Sequence, residues 1–334
     1  MKKVLYFLAA SAAALCTIAC NKDLTSSAPV QGKEQIAEGE RCELTVGIAG
    51  SPLTKATGST AEDEVAVKML QIYVFRGDVL DAYAKVKGSK VATVNCTAGD
   101  REIYALVNDV ERSSIDTKAQ LLAAVSDFNN TQIGGFAMIG SVQKTLPQND
   151  TITIDVTRLA SRVKIKKITR NFTSPSLAAG NLKIECMGLQ NVATDINLGL
   201  TSSPTTWTNK KNLGSIDNDY LFERADQTMA NGDTYETAHT FFCYPNPTTD
   251  DSSSSTWCPR HTRLVVMTSF GDDVYYYPIT LPVLEPNKSY EIENLTLTRL
   301  GSEDPDVPVT FQDCTFDLNI KPWTVVPVTE GVTI

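Results

Sequence analysis

Histidine is almost missing from this chain: His239 and His261 are the only two among 334 residues. A histidine-ligated metal centre or a Ser/His/Asp triad is therefore thinly supplied. The HExxH pair, the nucleophile elbow, the phosphate-cradling glycine loop and CxxC are all absent. Positive charge is in deficit, with 30 Lys+Arg against 39 Asp+Glu and a formal net charge of −9. That balance argues against recognition of nucleic acid or of an anionic membrane by charge. Beyond the N-terminal segment no run is long and apolar enough to span a bilayer. Cysteine is scarce for a disulfide scaffold. Apart from Cys16 and Cys20 there are six, namely Cys42, Cys96, Cys186, Cys243, Cys258 and Cys314. Cys243 and Cys258 flank a polar loop and are the first candidates for a bridge; the other reading is six small buried hydrophobes.

The remaining polar chemistry reads as structural. His239 lies in the strand-like "AHTFFCY" and suits a satisfied buried histidine. Asp250 with Asp251, and Asp272 with Asp273, suit solvated turns. Tyr275, Tyr276 and Tyr277 alternate faces as part core and part surface. No catalytic residue, metal ligand or cofactor is expected, and the chain does not read as an enzyme.

The two ends carry more information. "MKKVLYFLAASAAALCTIACNKD" has two lysines, an apolar run and small Ala19 before Cys20. This is the pattern of a secretory signal. A cysteine directly after the small residue gives it the look of a bacterial lipoprotein signal, with residues 1–19 removed and Cys20 lipidated. A flexible tether, residues 20–41, follows. The other end, "KPWTVVPVTEGVTI", alternates almost to its last residue, with Val326, Val328, Val332 and Ile334 on one face. Pro327 falls on the other face and Glu330 interrupts the apolar one. Such an ending is unusual, because free termini are commonly frayed and polar.

Between the ends, nearly every ordered stretch reads as strand. Examples are "CELTVGIA", "VKMLQIYVF" (apolar on both faces), "REIYALVN", "TITIDV", "RVKIKKI", "HTFFCY", "TRLVVMTSF" and "TFDLNIKPW". "TKAQLLAAVSDF" is the best helix, with its N-cap near Ser114 or Asp116. The length suits two all-β sandwich domains of about 130 to 170 residues, covering 42–157 and 158–334.

Several motifs taken in order resemble the fimbrillin family, the shaft subunits of type V pili of Bacteroidales. They are the "CNKD" lipoprotein start, "LQIYVFRGD", "VNCTAGDREIYALVN", "RLASRVKIKKI", "PNKSYEIENLTLTRLGSEDPDVPV" and "TFDLNIKPW". The resemblance implies two tandem transthyretin-like β-sandwich domains and no catalysis. It implies export as a lipoprotein held at the outer membrane, and a trypsin-like protease that cuts after the first strand. A neighbouring subunit's C-terminal strand then fills the vacated groove. Carried onto this chain, 42–55 is a removable propeptide, the scissile bond is Lys55–Ala56, and residues 324–334 are the donor tail. The partners implied are other copies of the subunit, head to tail, and the processing protease. Lysine stands here where the family has arginine. Either the protease accepts lysine, or the cut moves to Arg41, or this subunit stays uncut. The competing readings are a fimbrial anchor or tip subunit, and a monomeric surface lipoprotein that binds glycan through exposed aromatics.

Overall fold

Alternation of apolar and polar residues makes strands of most of the chain. A computed structural model describes residues 39–50, 66–128, 134–210, 221–249, 258–310 and 312–323. The strands of the first part are β1 (Arg41–Gly50), β2 (Met69–Arg76), β3 (Val79–Lys87), β4 (Val91–Thr97), β5 (Gly99–Val107), β6 (Val125–Asp127), β7 (Met138–Leu146) and β8 (Asp150–Arg158). Then come β9 (Ser161–Ile165), β10 (Ile168–Arg170), β11 (Leu182–Gln190), β12 (Val192–Ala193), β13 (Asp195–Asn197), β14 (Trp207–Thr208) and β15 (Phe222–Met229). The last are β16 (Thr234–Tyr235), β17 (His239–Cys243), β18 (Arg263–Phe270), β19 (Asp273–Thr280), β20 (Lys288–Leu297) and β21 (Cys314–Pro322). Two short helices interrupt them, α1 (Lys118–Ala123) and α2 (Pro175–Ala178). The cap of α1 is Thr117 and not Ser114 or Asp116. Its hydroxyl accepts from Gln120 N–H while the Gln120 side chain accepts from the Thr117 N–H, a reciprocal capping box. The helix is also shorter than its sequence suggests, because Val125–Asp127 leave it to pair with β13 as β6.

The first seven-stranded sheet runs β3-β2-β5-β7-β8-β1-β4. It bends in the middle. β7 pairs with β5 along its whole length but meets β8 only at Met138↔Arg158 and Ile139↔Thr157. Gly140 sits next to that corner, where a Cβ would lie 2.1 Å from the Asp155 carbonyl oxygen, so only glycine fits so close a crossing. The bend folds β2, β5 and β7 over β1, β4 and β8. Leu70, Ile72, Val74, Ile103, Ala105 and Val107 pack there against Leu44, Val46, Val94, Ile152, Ile154 and Val156. β2 is buried on both faces, because Tyr73 and Phe75 turn away from this core into a second one.

The second part repeats the plan. β20 is the spine of its sheet, parallel to β9 and β10 on one side and antiparallel to β21 on the other. A four-stranded sheet, β15-β11-β18-β19, closes the sandwich. Val163, Phe241, Tyr290, Ile292 and Leu295 share its core with Ile184, Met187, Leu264, Val266 and Ile279. β9 lies between a parallel β20 and an antiparallel β17, just as β1 lies between a parallel β8 and an antiparallel β4.

The basic strand "RVKIKKI" finds its counter-charges on β20. Lys166 Nζ lies 3.1 Å from Glu291 and 2.7 Å from Glu293, and Lys321 Nζ of β21 lies 3.1 Å from Glu291. Burial alone would push the Glu291 carboxyl up. The hydrogen bonds from Lys166 and Lys321 outweigh burial and hold it down at about 2, against an ordinary 4.5. A carboxyl depressed on folding stabilises the fold above its unfolded value and loses that contribution as pH falls towards the folded one. Glu291→Gln is therefore expected to lower the urea midpoint at neutral pH. The gap from the native chain should narrow as pH drops from 4.5 towards 2. A gap that stays constant over that window would assign the stabilisation to shape and not to charge.

Candidate functional site

Among the described residues no cluster of three or more His, Cys, Asp or Glu could hold a metal. His239 is buried on β17 with both ring nitrogens engaged, Nδ1 by the Glu223 carboxylate and Nε2 by Tyr235 Oη at 2.9 Å. Asp272 and Asp273 are exposed at the β18–β19 turn. Tyr277 is buried and donates to the Arg299 carbonyl at 2.7 Å, while Tyr275 and Tyr276 are half-buried. Two concavities are open to solvent. One of about 370 Å³ is lined by charged side chains including Arg101, Glu102, Lys118 and Lys144. The other, of about 190 Å³, is lined by Ile196, Leu200 and four prolines among others. Neither carries an aromatic side chain, so neither offers the stacking platform that the glycan-binding reading needs.

The informative site is the slot of β1. Seven register pairs join Arg41–Gly47 to β4, and seven join Leu44–Gly50 to β8. Leu44 and Val46 are fully buried, Cys42 nearly so, and Ile48 packs half-buried against the same core. Arg41 and Glu43 on the opposite face are exposed. β4 sits at the end of the sheet, so its ladder partner is β1. What else fixes β4 is concentrated at its C-terminal end. The Thr97 N–H and hydroxyl both donate to Asp81 at 2.8 Å, and the buried Arg101 donates to Asp81 at 3.2 Å and to the Ala98 carbonyl at 2.7 Å. A strand can leave such a slot only by stripping both neighbours of backbone partners.

A second feature sits at the far end of the chain. Trp323 is the largest fully buried side chain. It stacks on Phe242 at 5.3 Å between ring centroids and meets Phe136 edge-on at 5.2 Å. The guanidinium of Arg158 lies 4.6 Å from its ring centroid and that of Arg162 5.4 Å. The Trp323 N–H donates to the Asn287 carbonyl at 2.9 Å, and Arg158 Nη1 donates to the Trp323 carbonyl at 3.3 Å. Residues from β8, β9, β17 and the approach to β7 thus fix the point from which the C-terminal tail departs.

Cys20, Lys55, Ala56, Val326, Val328, Val332 and Ile334 lie outside the described residues. Cys243 and Cys258 stand as thiols in this structure, as do the other four described cysteines. Cys243 points into the second core, where burial pushes its thiol up to about 12. Cys258 is only half-buried and lies against Arg260 at 3.7 Å. The sulfurs that do approach are Cys42 and Cys96, 3.6 Å apart across β1 and β4. Their only signature in the sequence is that each occupies an inward position of an alternating strand. Nothing in the sequence links Arg158 to a tryptophan 165 residues away.

The family model for the major fimbrial subunit protein FimA matches residues 42–215, just over half of the chain and starting with β1. The chain belongs to the FimA family of major fimbrial subunits. It is a structural subunit of a cell-surface fimbrium and associates there with other fimbrial subunits. No curated protein matches it by sequence. The fold is similar to that of a proposed cell adhesion protein from Bacteroides eggerthii, with a TM-score of 0.67 and 17% identity, covering 89% of this chain and 100% of that one. It is also similar to the fimbrilin FimA of Porphyromonas gingivalis W83, with a TM-score of 0.62 and 15% identity over 86% of this chain and 98% of that one. The tip fimbrial protein Mfa3 of P. gingivalis, truncated at its C-terminus, matches at 0.50 and 14% identity over 85% of this chain and 100% of that one.

If β1 is what holds β4, loosening one must loosen the other. Leu44→Ala removes a fully buried side chain at a cost of about 2–5 kcal/mol, roughly thirtyfold or more in local opening. Hydrogen exchange of the β4 amides should quicken in step with those of β1, while β2 and β5 stay protected. β4 amides as slow as those of β2 would show that β4 is held by something other than this ladder.

Proposed function

We propose that this fimbrial subunit polymerises by exchanging β1 for the tail of another copy. The observation that carries the reading is the position of β1. It is the first strand of its sheet, the ladder partner of β4, and is followed at once by the loop 51–65. That loop holds Gly58, Ser51, Ser59 and Lys55, a composition suited to nicking. The chain is exported with lipid on Cys20 and held at the outer membrane. A trypsin-like protease cuts Lys55–Ala56, and the segment ending at Lys55 departs. Arg41 is the poorer choice of bond, because a cut there trims the tether and leaves Cys42–Gly50 in the sheet.

The vacated slot then exposes the backbone edges of β4 and β8 above an apolar floor, which a sandwich does not tolerate. The tail of a neighbour supplies both remedies by strand addition. Its main chain completes the two ladders. Val326, Val328, Val332 and Ile334 enter the apolar floor left by Cys42, Leu44, Val46 and Ile48, with Glu330 at its rim. Each buried aliphatic side chain contributes roughly 1.5–3 kcal/mol, so four of them with the ladder offset an association cost of about 4–15 kcal/mol. A head-to-tail contact of this kind does not close on itself, and it grows a filament. The two sandwiches that carry slot and tail are assigned to 42–157 and 158–334.

Digestion of the full chain with a Lys/Arg-specific protease tests this. With a thiol reductant present, the expected product begins at Ala56 and forms a ladder of polymers on an unboiled gel, and deleting 324–334 removes the ladder. A product that has lost β1 and stays monomeric overturns the exchange. A loop that resists cutting points to an anchor subunit.

A further inference from the structure

Cys42 and Cys96 stand opposite one another in the β1–β4 register, both almost fully buried, with their sulfurs 3.6 Å apart. The backbone around them suits a covalent link. The Ala98 N–H donates to the Glu40 carbonyl at 2.8 Å, and the Ile48 N–H donates to the Lys90 carbonyl at 3.0 Å. Bonded pairs alternate along an antiparallel ladder, so Cys42 and Cys96 form one, with Cα atoms about 5.5 Å apart. Disulfides commonly span Cα distances of about 4.4–6.8 Å, which includes this pair, and closing the sulfurs from 3.6 Å takes side-chain rotation together with a small approach of the two strands. The sulfurs occupy inward positions of the same core as Leu44 and Val94. The bond would therefore form inside the sandwich, between the departing strand and its antiparallel neighbour.

We propose that Cys42 and Cys96 are joined by a disulfide in the exported subunit, so that β1 stays covalently attached to β4 after the loop is cut. The inference rests on the plug reading above for its consequence, but not for the bond itself. The chemistry is thiol–disulfide exchange with a disulfide oxidant of the export compartment. One cysteine thiolate attacks the oxidant's disulfide, forming a mixed disulfide and releasing one oxidant thiol. The second cysteine attacks the mixed disulfide and releases the other. The two cysteines lose two protons and two electrons, and the oxidant's two sulfurs gain them. Once β1 is seated both sulfurs are almost fully buried, and burial and then the contact with Cys42 push the Cys96 thiol up to about 12, so an external disulfide reaches the pair poorly. The exchange belongs to the interval before β1 docks, and the finished bond is shielded from external thiols. Cutting at Lys55 then does not free the strand; a cut and a reduction are both required.

The test uses the full exported chain, purified without reductant. Denaturation, alkylation of free thiols and digestion should yield one peptide pair joining Cys42 to Cys96, lighter by two hydrogens than the two peptides taken separately. In a second arm the native chain is cut in its loop and run in SDS. The fragment carrying Cys42 should remain on the body without reductant and separate with it; in Cys96→Ala it should separate either way. Recovery of Cys42 and Cys96 as alkylated thiols overturns the proposal. So does release of the wild-type fragment without reductant. A loop left uncut in both wild type and Cys96→Ala counts against the plug reading alone, since the peptide pair from the denatured chain still decides the bond.

Discussion

The backbone hydrogen bonding of β1 is the constraint on which the first sandwich depends. A strand at the end of a sheet has one ladder, and the ladder of β4 is with β1. The Asp81–Thr97–Arg101 clasp holds one end of β4, and the core holds its inward side chains. Its other backbone groups rely on β1. Removing β1 would thus open two edges and an apolar floor together, and a sandwich in that state must find a replacement strand or aggregate.

Comparison of the two sandwiches sharpens the point. β9 occupies in the second the place that β1 occupies in the first, between a parallel last strand and an antiparallel partner. Yet β9 runs on through Lys166 and Lys167 into β10, which pairs with the same β20. Arg162 of β9 is fastened to Glu291, and Lys166 just after it to Glu291 and Glu293. A single fold plan thus appears once with its first strand locked by ion pairs and continuous chain. It appears a second time with that strand followed by the polar sequence 51–65 in place of a second strand on the same partner. Exchangeability is a property of how the strand is tied, not of the fold.

Much of this was legible in the residues. "CELTVGIA", "VKMLQIYVF", "TITIDV" and "TRLVVMTSF" all became strands, and the double-sided burial of β2 followed from an apolar run that only Gln71 interrupts. The strands that escaped reading were at edges. β3 and β15 have one ladder each and stay largely outside the cores, so neither needs a clean alternation. The Cys42–Cys96 approach was invisible for a different reason. Spacing in sequence suggests bridges across loops, whereas this pair is brought together by strand register 54 residues apart. Trp323 was legible as the end of a strand but not as a clamp, because its partners Phe136, Arg158 and Phe242 come from three separate segments.

The place of β8 has a mechanical meaning. Its residues Asp150–Val156 line the slot where a strand is received, and its last residue, Arg158, grips the tryptophan from which the tail departs. In a head-to-tail filament of the proposed kind, tension taken up along β8 would reach the tail through the Arg158–Trp323 contact as well as through the covalent chain of β21. The loops and the four-stranded sheet of the second sandwich would hang beside that load line, free to vary without weakening the fibre.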